Sequence, residues 1–203
     1  MSQSPIIRPA QPADAAAIAA IYAPYCASSA ISFEEVAPGA DGMRERIVRI
    51  GAGRPWIVLE VDGTLVGYAY AGLHNERAAY RWSVSTAIYV SAAHHGRGAG
   101  RALYTTLLDL VRRLGYYQAT AGITLPNPAS IGLHQALGFS LVGVYRNIGY
   151  KFGTWHDVGW YQAELRRPSP APAPPRSIET LYGSAEWSSA IAQGLERYVG
   201  HSR

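Results

Sequence analysis

The chain has 203 residues, 48% hydrophobic and 16% charged, enough apolar material for the core of one ordinary domain plus an extension. Its formal net charge is +4, but the 18 basic residues, all arginine except Lys151, are dispersed and form no stripe of the kind nucleic-acid binding needs. No apolar run reaches the roughly 18–20 residues of a membrane span, and the N-terminus lacks a basic-then-apolar signal. The one cysteine, Cys26, has no partner within the chain. A cytoplasmic protein without nucleic-acid or membrane partners is expected.

Ile6-Ile7-Arg8 reads as a short first strand. Pro12 and Asp14 then open a helix in which Ile18, Ile21, Tyr22 and Tyr25 recur at helical spacing. Residues 26–41 are irregular and hold Ser32-Phe33-Glu34-Glu35. Met43, Ile47 and Ile50 mark an amphipathic helix over 41–50. Strands at 56–61 and 64–71 flank the Asp62-Gly63 hairpin turn. A strand over 82–90 leads into a glycine-rich turn and a helix over 101–114. A strand at 118–123, a helix at 127–137 and strands near 139–148 and 158–165 follow. Helices first, then an antiparallel meander, then a β-α-β-α-β run predict an α/β (α+β) sandwich around a central mixed sheet flanked by helices. Five prolines within 168–175 make an extended, poorly packed linker. Beyond it, Trp187, Ile191, Leu195 and Tyr198 are spaced as on a short amphipathic helix that docks on its own domain or on a neighbour. The expected boundaries are 5–166 for the catalytic domain, 167–176 for the linker and 177–203 for the helical tail.

The glycine-rich turn is His94-His95-Gly96-Arg97-Gly98-Ala99-Gly100-Arg101. Placed between strand and helix, it exposes backbone N–H groups at the positive end of a helix dipole, an arrangement that binds a pyrophosphate. No Gly-Lys-Ser/Thr closes it, so it is not an ATP-binding P-loop. No acidic residue ends a following strand about twenty residues on, so the Rossmann fingerprint fits badly. What remains is Arg/Gln-x-x-Gly-x-Gly/Ala with His95 in the first slot, or a tight turn and nothing more. A second signal is Asn127-x6-His134-x3-Gly138-Phe139. By itself it describes a helix capped by asparagine and ended by glycine.

Both motifs, in this order and about 27 residues apart, resemble those of the GNAT acetyltransferase superfamily. A narrower resemblance is carried by Ile7-Arg8-Pro9, Ser32-Phe33-Glu34, Gly67-Tyr68-Ala69-Tyr70, Arg77-Ala78-Ala79-Tyr80-Arg81-Trp82, Ile88-Tyr89-Val90 and, most specifically, Lys151-Phe152-Gly153-x-Trp155-His156-Asp157. Over about residues 5–165 the chain is similar to the phosphinothricin/methionine sulfoximine N-acetyltransferase subfamily. The resemblance implies transfer of acetyl from acetyl-CoA to the α-amino group of a glutamate-like amino acid, with no metal. It places the co-substrate on Ile88, Tyr89, Val90, the turn Gly96, Arg97, Gly98, Ala99, Gly100 and Arg101, and on Asn127 and Ser130. His134 would face the thioester sulfur and supply a proton or hydrogen bond to the leaving thiolate. Backbone N–H groups around Tyr89 would meet the carbonyl. Phe33 and Glu34 would wall the acceptor pocket.

An anionic acceptor suits Arg77 and Arg81, whose guanidinium groups can hold a carboxylate, with the Tyr80 hydroxyl between them; solvated surface charge is the alternative for both. The expected base is a glutamate three residues before Ile88-Tyr89-Val90, and this chain carries Ser85 there. A serine is too weak to deprotonate an ammonium group. Either another group does so, with His74, Glu76 and Glu34 as candidates, or the bound amine is already neutral, or transfer is weakened and the protein only binds acyl-CoA. An acetyltransferase for a different amine is the third reading. Trp155 and Trp160 near the end of the domain suit a homodimer interface and suit a core equally.

Overall fold

The structure is a computed structural model that describes residues 4–199. Its centre is one seven-stranded sheet in the order β1-β2-β3-β4-β5-β7-β6. The strands are β1 (Ile6–Pro9), β2 (Trp56–Val61), β3 (Thr64–Leu73), β4 (Ser83–Val90), β5 (Gln118–Leu125), β6 (Ser140–Lys151) and β7 (Thr154–Glu164). Every neighbouring pair is antiparallel except β4 and β5. That parallel pair has eight residues in each strand but matches only Ser83 with Gln118, Val84 with Ala119 and Ser85 with Thr120. Past Ser85 the two strands part, while β5 stays paired to β7 along its whole length. The sheet therefore carries a slot near its middle.

Both faces are covered. α1 (Ala15–Ala27) and α2 (Ala40–Gly51) pack on one, around Ile18, Tyr22, Met43 and Ile47. α3 (Ala99–Leu114), α4 (Pro128–Ala136) and α5 (Ala185–Leu195) lie on the other, where Leu103, Leu107 and Leu110 are fully buried. The apolar run Trp56-Ile57-Val58-Leu59 follows from this: alternate residues go to opposite cores, so no polar face is left. No helix among the described residues is long and apolar enough to cross a membrane.

Most elements lie within a residue or two of their sequence positions. The clear difference is the last hairpin. A gap between 148 and 158 was expected; instead β6 reaches Lys151 and β7 starts at Thr154. Phe152 (φ 51°) and Gly153 (φ 77°) form the turn between them. Two positive φ angles match the twist of a two-residue hairpin, and a phenylalanine in that conformation hides the turn from sequence rules.

The proline-rich stretch is exposed but tied down, where loose packing was expected. Trp82 Nε1 donates to Ala173 O (2.9 Å) and Arg176 N to Leu114 O (2.7 Å). Ile178 and Leu181 then enter the larger core with no exposed surface. α5 crosses α3 closely: a Cβ on Gly194 would stand 1.9 Å from Thr106 Oγ1. Trp187, Ile191, Leu195 and Tyr198 all pack on the same core, so the helix docks on its own chain.

Leu181→Ala should therefore cost about 2–5 kcal/mol of global stability. In urea denaturation the single main transition is expected to move. A main transition that stays in place would mark the tail as an independent unit.

Candidate active site

The slot between β4 and β5 organises the site. Side chains alternate along a strand, so Val84 and Thr86 point to the α3 face, while Ser85 and Thr120 share the other. A cavity of about 70 Å³ fills the slot, bounded by Thr86, Ala87, Ile88 and Tyr89 on one side and Ala121, Gly122, Ile123 and Thr124 on the other. Asn127, Ser130, His134 and Tyr104 also line it. It adjoins a wider cleft of about 530 Å³, which shares Ile31, Ile88, Asn127 and Ser130 with it and runs along Gly96, Gly98, Ala99, Gly100 and Arg101.

Local sequence explains the cleft. Gly96 and Gly98 take φ of +73° and +82°, a conformation that frees the turn's N–H groups just before α3 begins. His95 turns back: its Nε2 lies 3.0 Å from Val90 O, which also accepts the Tyr25 hydroxyl. Asn127 Oδ1 accepts from Ser130 N (3.1 Å) and starts α4 beside the slot. The Tyr89 ring packs edge-on against Tyr22 and Tyr25, so it is the strand at Tyr89, not a free phenol, that borders the slot.

His134 is 3% exposed, and its two ring nitrogens are engaged. Nδ1 lies 2.7 Å from Ser130 O, which can only accept, so Nδ1 carries a proton. Nε2 lies 3.1 Å from the Tyr104 hydroxyl, itself 3.2 Å from Thr86 Oγ1. Burial lowers the imidazole pKa more than the Ser130 carbonyl raises it, and the same burial raises that of Tyr104. The ring is therefore neutral near pH 7, with its N–H spent on Ser130. The sequence pointed to a proton or hydrogen bond from this imidazole to a leaving thiolate; in the structure its N–H is engaged by Ser130, and His134 and Tyr104 form a pair at the slot.

On the other face His74 meets the apex of the slot. Its Nδ1 lies 3.1 Å from Thr120 Oγ1 and 3.3 Å from Ser85 Oγ. Thr120 Oγ1 is 3.2 Å from Val84 O and donates to it, so it is available to accept from an Nδ1–H. That tautomer leaves Nε2 with a lone pair and no partner among the described residues. The Tyr80 ring sits 5.6 Å from the imidazole. Of the two expected carboxylate readers, Arg81 is held at one nitrogen: Nε donates to Ala78 O (2.8 Å), and the guanidinium lies 5.2 Å from the centre of the Trp82 ring. Neither Arg77 nor Arg81 lines the two cavities.

Glu34, a candidate base by sequence, is forked by Arg46 at 2.7 and 2.9 Å and accepts from Tyr22 (2.9 Å). The Arg46 contact outweighs burial and holds its pKa below the usual carboxylate range, which makes it a poor base. It fixes the loop after α1 instead. Lys151 fixes that loop from the other side. The ammonium is 4% exposed and within reach of four carbonyls, those of Cys26 (2.6 Å), Ser29 (3.0 Å), Ser32 (2.7 Å) and Glu34 (2.8 Å). Phe33 lies over Gly149, where a Cβ would stand 2.2 Å from its ring. The Lys-Phe-Gly-x-Trp-His-Asp element is thus a clamp joining the loop at 26–34 to the last hairpin. Tyr25, Ile31, Tyr104, Thr120 and this role of Lys151 were missed from sequence; only Lys151 carried a signal, as the one lysine in an arginine-rich chain.

A cleft with amides at one end and a narrow slot through a sheet at the other suits a long cofactor bearing phosphates and a thioester, which defines the class as acyl-CoA-dependent acyltransferases. The acetyltransferase (GNAT) domain family matches residues 7–160, and the chain belongs to that family. It is an N-acetyltransferase whose co-substrate is acetyl-CoA. It is 40% identical over 175 residues to a phosphinothricin N-acetyltransferase of Streptomyces viridochromogenes, covering 86% of this chain and 95% of that one. It is also 40% identical over 113 residues to an L-methionine sulfoximine/L-methionine sulfone acetyltransferase of Salmonella typhimurium, covering 56% and 66%. The crystal structure of a GNAT superfamily phosphinothricin acetyltransferase from Sinorhizobium meliloti with acetyl-CoA superimposes with a TM-score of 0.78 at 33% identity, covering 87% of this chain and 99% of that one.

Lys151→Met would leave the converging carbonyls without donors, at a cost on the order of 3 kcal/mol. Faster amide exchange at 26–34 with unchanged CoA affinity is expected. Exchange equal to wild type in that loop would show that the clamp is not needed.

Proposed function

We propose that the protein acetylates the α-amino group of a small anionic amino acid of the phosphinothricin/methionine sulfoximine type, with His74 as the base. The observation that carries this reading is the hydrogen bonding of His74 Nδ1 to Thr120 and Ser85, the residue pair that closes the slot. Ser85 stands where relatives of the subfamily are expected to carry glutamate, and His74 reaches the same point from β3's end. The names of the 40%-identical relatives support the acceptor class.

Acetyl-CoA supplies the activated acyl group as a thioester. Amides of Gly96 to Arg101 hold its pyrophosphate, and Ile88 to Val90 with Asn127 and Ser130 receive the pantetheine arm. His134 and Tyr104 order the slot around the sulfur. On the opposite face Phe33 walls the acceptor pocket, Glu34 holds that wall through Arg46, and Arg77 with Tyr80 takes the carboxylate. Thr120 and Ser85 fix the His74 tautomer, so Nε2 receives the ammonium proton. The amine then attacks the thioester carbonyl through the slot, and the C–S bond breaks. The second proton lost by the amine nitrogen goes to the departing CoA thiolate, which leaves as the free thiol. We place the reaction in the cytoplasm, where the buried thiol of Cys26 stays reduced.

The edge strand β6 and its turn expose Leu141, Val142, Tyr145, Ile148, Tyr150 and Phe152, with Trp155 beside them on β7. Exposed apolar side chains along a sheet edge favour a second copy of the chain across a two-fold axis.

Two measurements test these readings. With phosphinothricin and methionine sulfoximine as acceptors, His74→Phe should lower kcat/KM at pH 7 on the order of 100-fold. The deficit should shrink as pH rises and free amine accumulates, and adding Ser85→Glu should recover part of the rate. Wild-type turnover in His74→Phe at pH 7 would remove His74 as the base. Light scattering should give a dimer for wild type and a monomer for Tyr150→Glu; a monomeric wild type ends the homodimer reading.

A further inference from the structure

One wall of the cofactor cleft comes from outside the matched acetyltransferase domain. Arg197 and Val199, which follow α5, line the cleft with Gly98, Gly100 and Arg101, whereas the family match ends at residue 160. Backbone contacts bring them there. Val199 N donates to Arg97 O (3.2 Å), and a Cβ on Gly98 would stand 2.3 Å from Arg197 O. Only glycine at 98, at φ +82°, admits this approach. The close crossing at Gly194 seats the helix from which this segment leaves. The Arg197 side chain is exposed, and its guanidinium has no ion-pair or hydrogen-bond partner among the described residues.

We propose that the C-terminal segment completes the acetyl-CoA site: Arg197 binds a phosphate of the co-substrate's nucleotide end, and that contact fastens the end of α5 onto the glycine turn. The inference rests on the cleft being the acetyl-CoA site. Three physical reasons point the same way. The amides of the turn and the dipole of α3 already favour an anion at this place. A guanidinium offers a planar fork that matches phosphate oxygens. The C-terminal end of α5 brings partial negative charge close to the turn, which would repel a phosphate, and Arg197, two residues beyond Leu195, offsets it.

Calorimetric titration of the full chain with CoA tests the proposal. Arg197→Ala should weaken CoA roughly tenfold, while Arg44→Ala, the same charge loss on exposed α2, should not. Titration with dephospho-CoA assigns the contact: a deficit that persists places Arg197 on the pyrophosphate, and one that disappears places it on the 3′-phosphate. Added CoA should slow amide exchange over 185–199 in wild type and not in Arg197→Ala. Equal CoA affinity in Arg197→Ala and wild type overturns the proposal and leaves the cleft assignment standing. Failure of wild type to bind CoA overturns the cleft assignment itself.

Discussion

Three paired residues in each of two parallel strands decide how this protein works. Because β4 and β5 match only at Ser83–Gln118, Val84–Ala119 and Ser85–Thr120, the sheet opens beyond them. An intact sheet would satisfy its own backbone groups and separate its two faces completely. The opening leaves strand amides without partners and joins the two faces at one point. A parting of this kind is costly in a core unless something else fills it. Here β5 keeps full pairing with β7, and β4 keeps full pairing with β3, so each strand loses only one ladder.

The division of labour follows from that opening. On the α3 face the work is done by backbone: a glycine turn, a helix N-terminus and a strand edge. Such groups need no titration and bind a charged, extended cofactor by position alone. On the α1 face the work is done by side chains, and each is held by another. Lys151 holds the loop at 26–34, Arg46 holds Glu34, and Thr120 holds His74. An ammonium surrounded by carbonyls is well matched here, since its donors point in three directions; a planar guanidinium would not converge on the same acceptors.

This division also explains what the sequence made legible. The glycine turn, the asparagine cap and the strand before them are local patterns, and local patterns encode the cofactor half. Gly98 and Asn127 stood out because one sits at a positive φ and the other caps a helix. The acceptor half depends on pairs far apart in the chain, such as Lys151 with Cys26 and His74 with Thr120, and no spacing rule joins them. Arg81 shows the limit from the other side. Its charge and neighbours fit a carboxylate reader, but the bond from its Nε to Ala78 O and its place beside Trp82 were not readable from sequence. Charge is visible in sequence; the commitment of a charge is not.

If His74 is the base, as proposed, an imidazole in place of a carboxylate at the apex of the slot alters more than the identity of the base. A glutamate there would put negative charge next to the ammonium of the acceptor and help bind it as well as deprotonate it. Ser85 and Thr120 give no such attraction, so under the proposal recognition rests more heavily on the acceptor's carboxylate and on the fit of the loop wall. As the proposed base, His74 has a path to solvent: it is partly exposed, and its Nε2 has no competing partner among the described residues. Under the proposal the exchange gives up electrostatic binding of the amine. In that reading the clamp that Lys151 forms on residues 26–34 is the structural counterpart, since it would define the acceptor pocket by shape where charge does not.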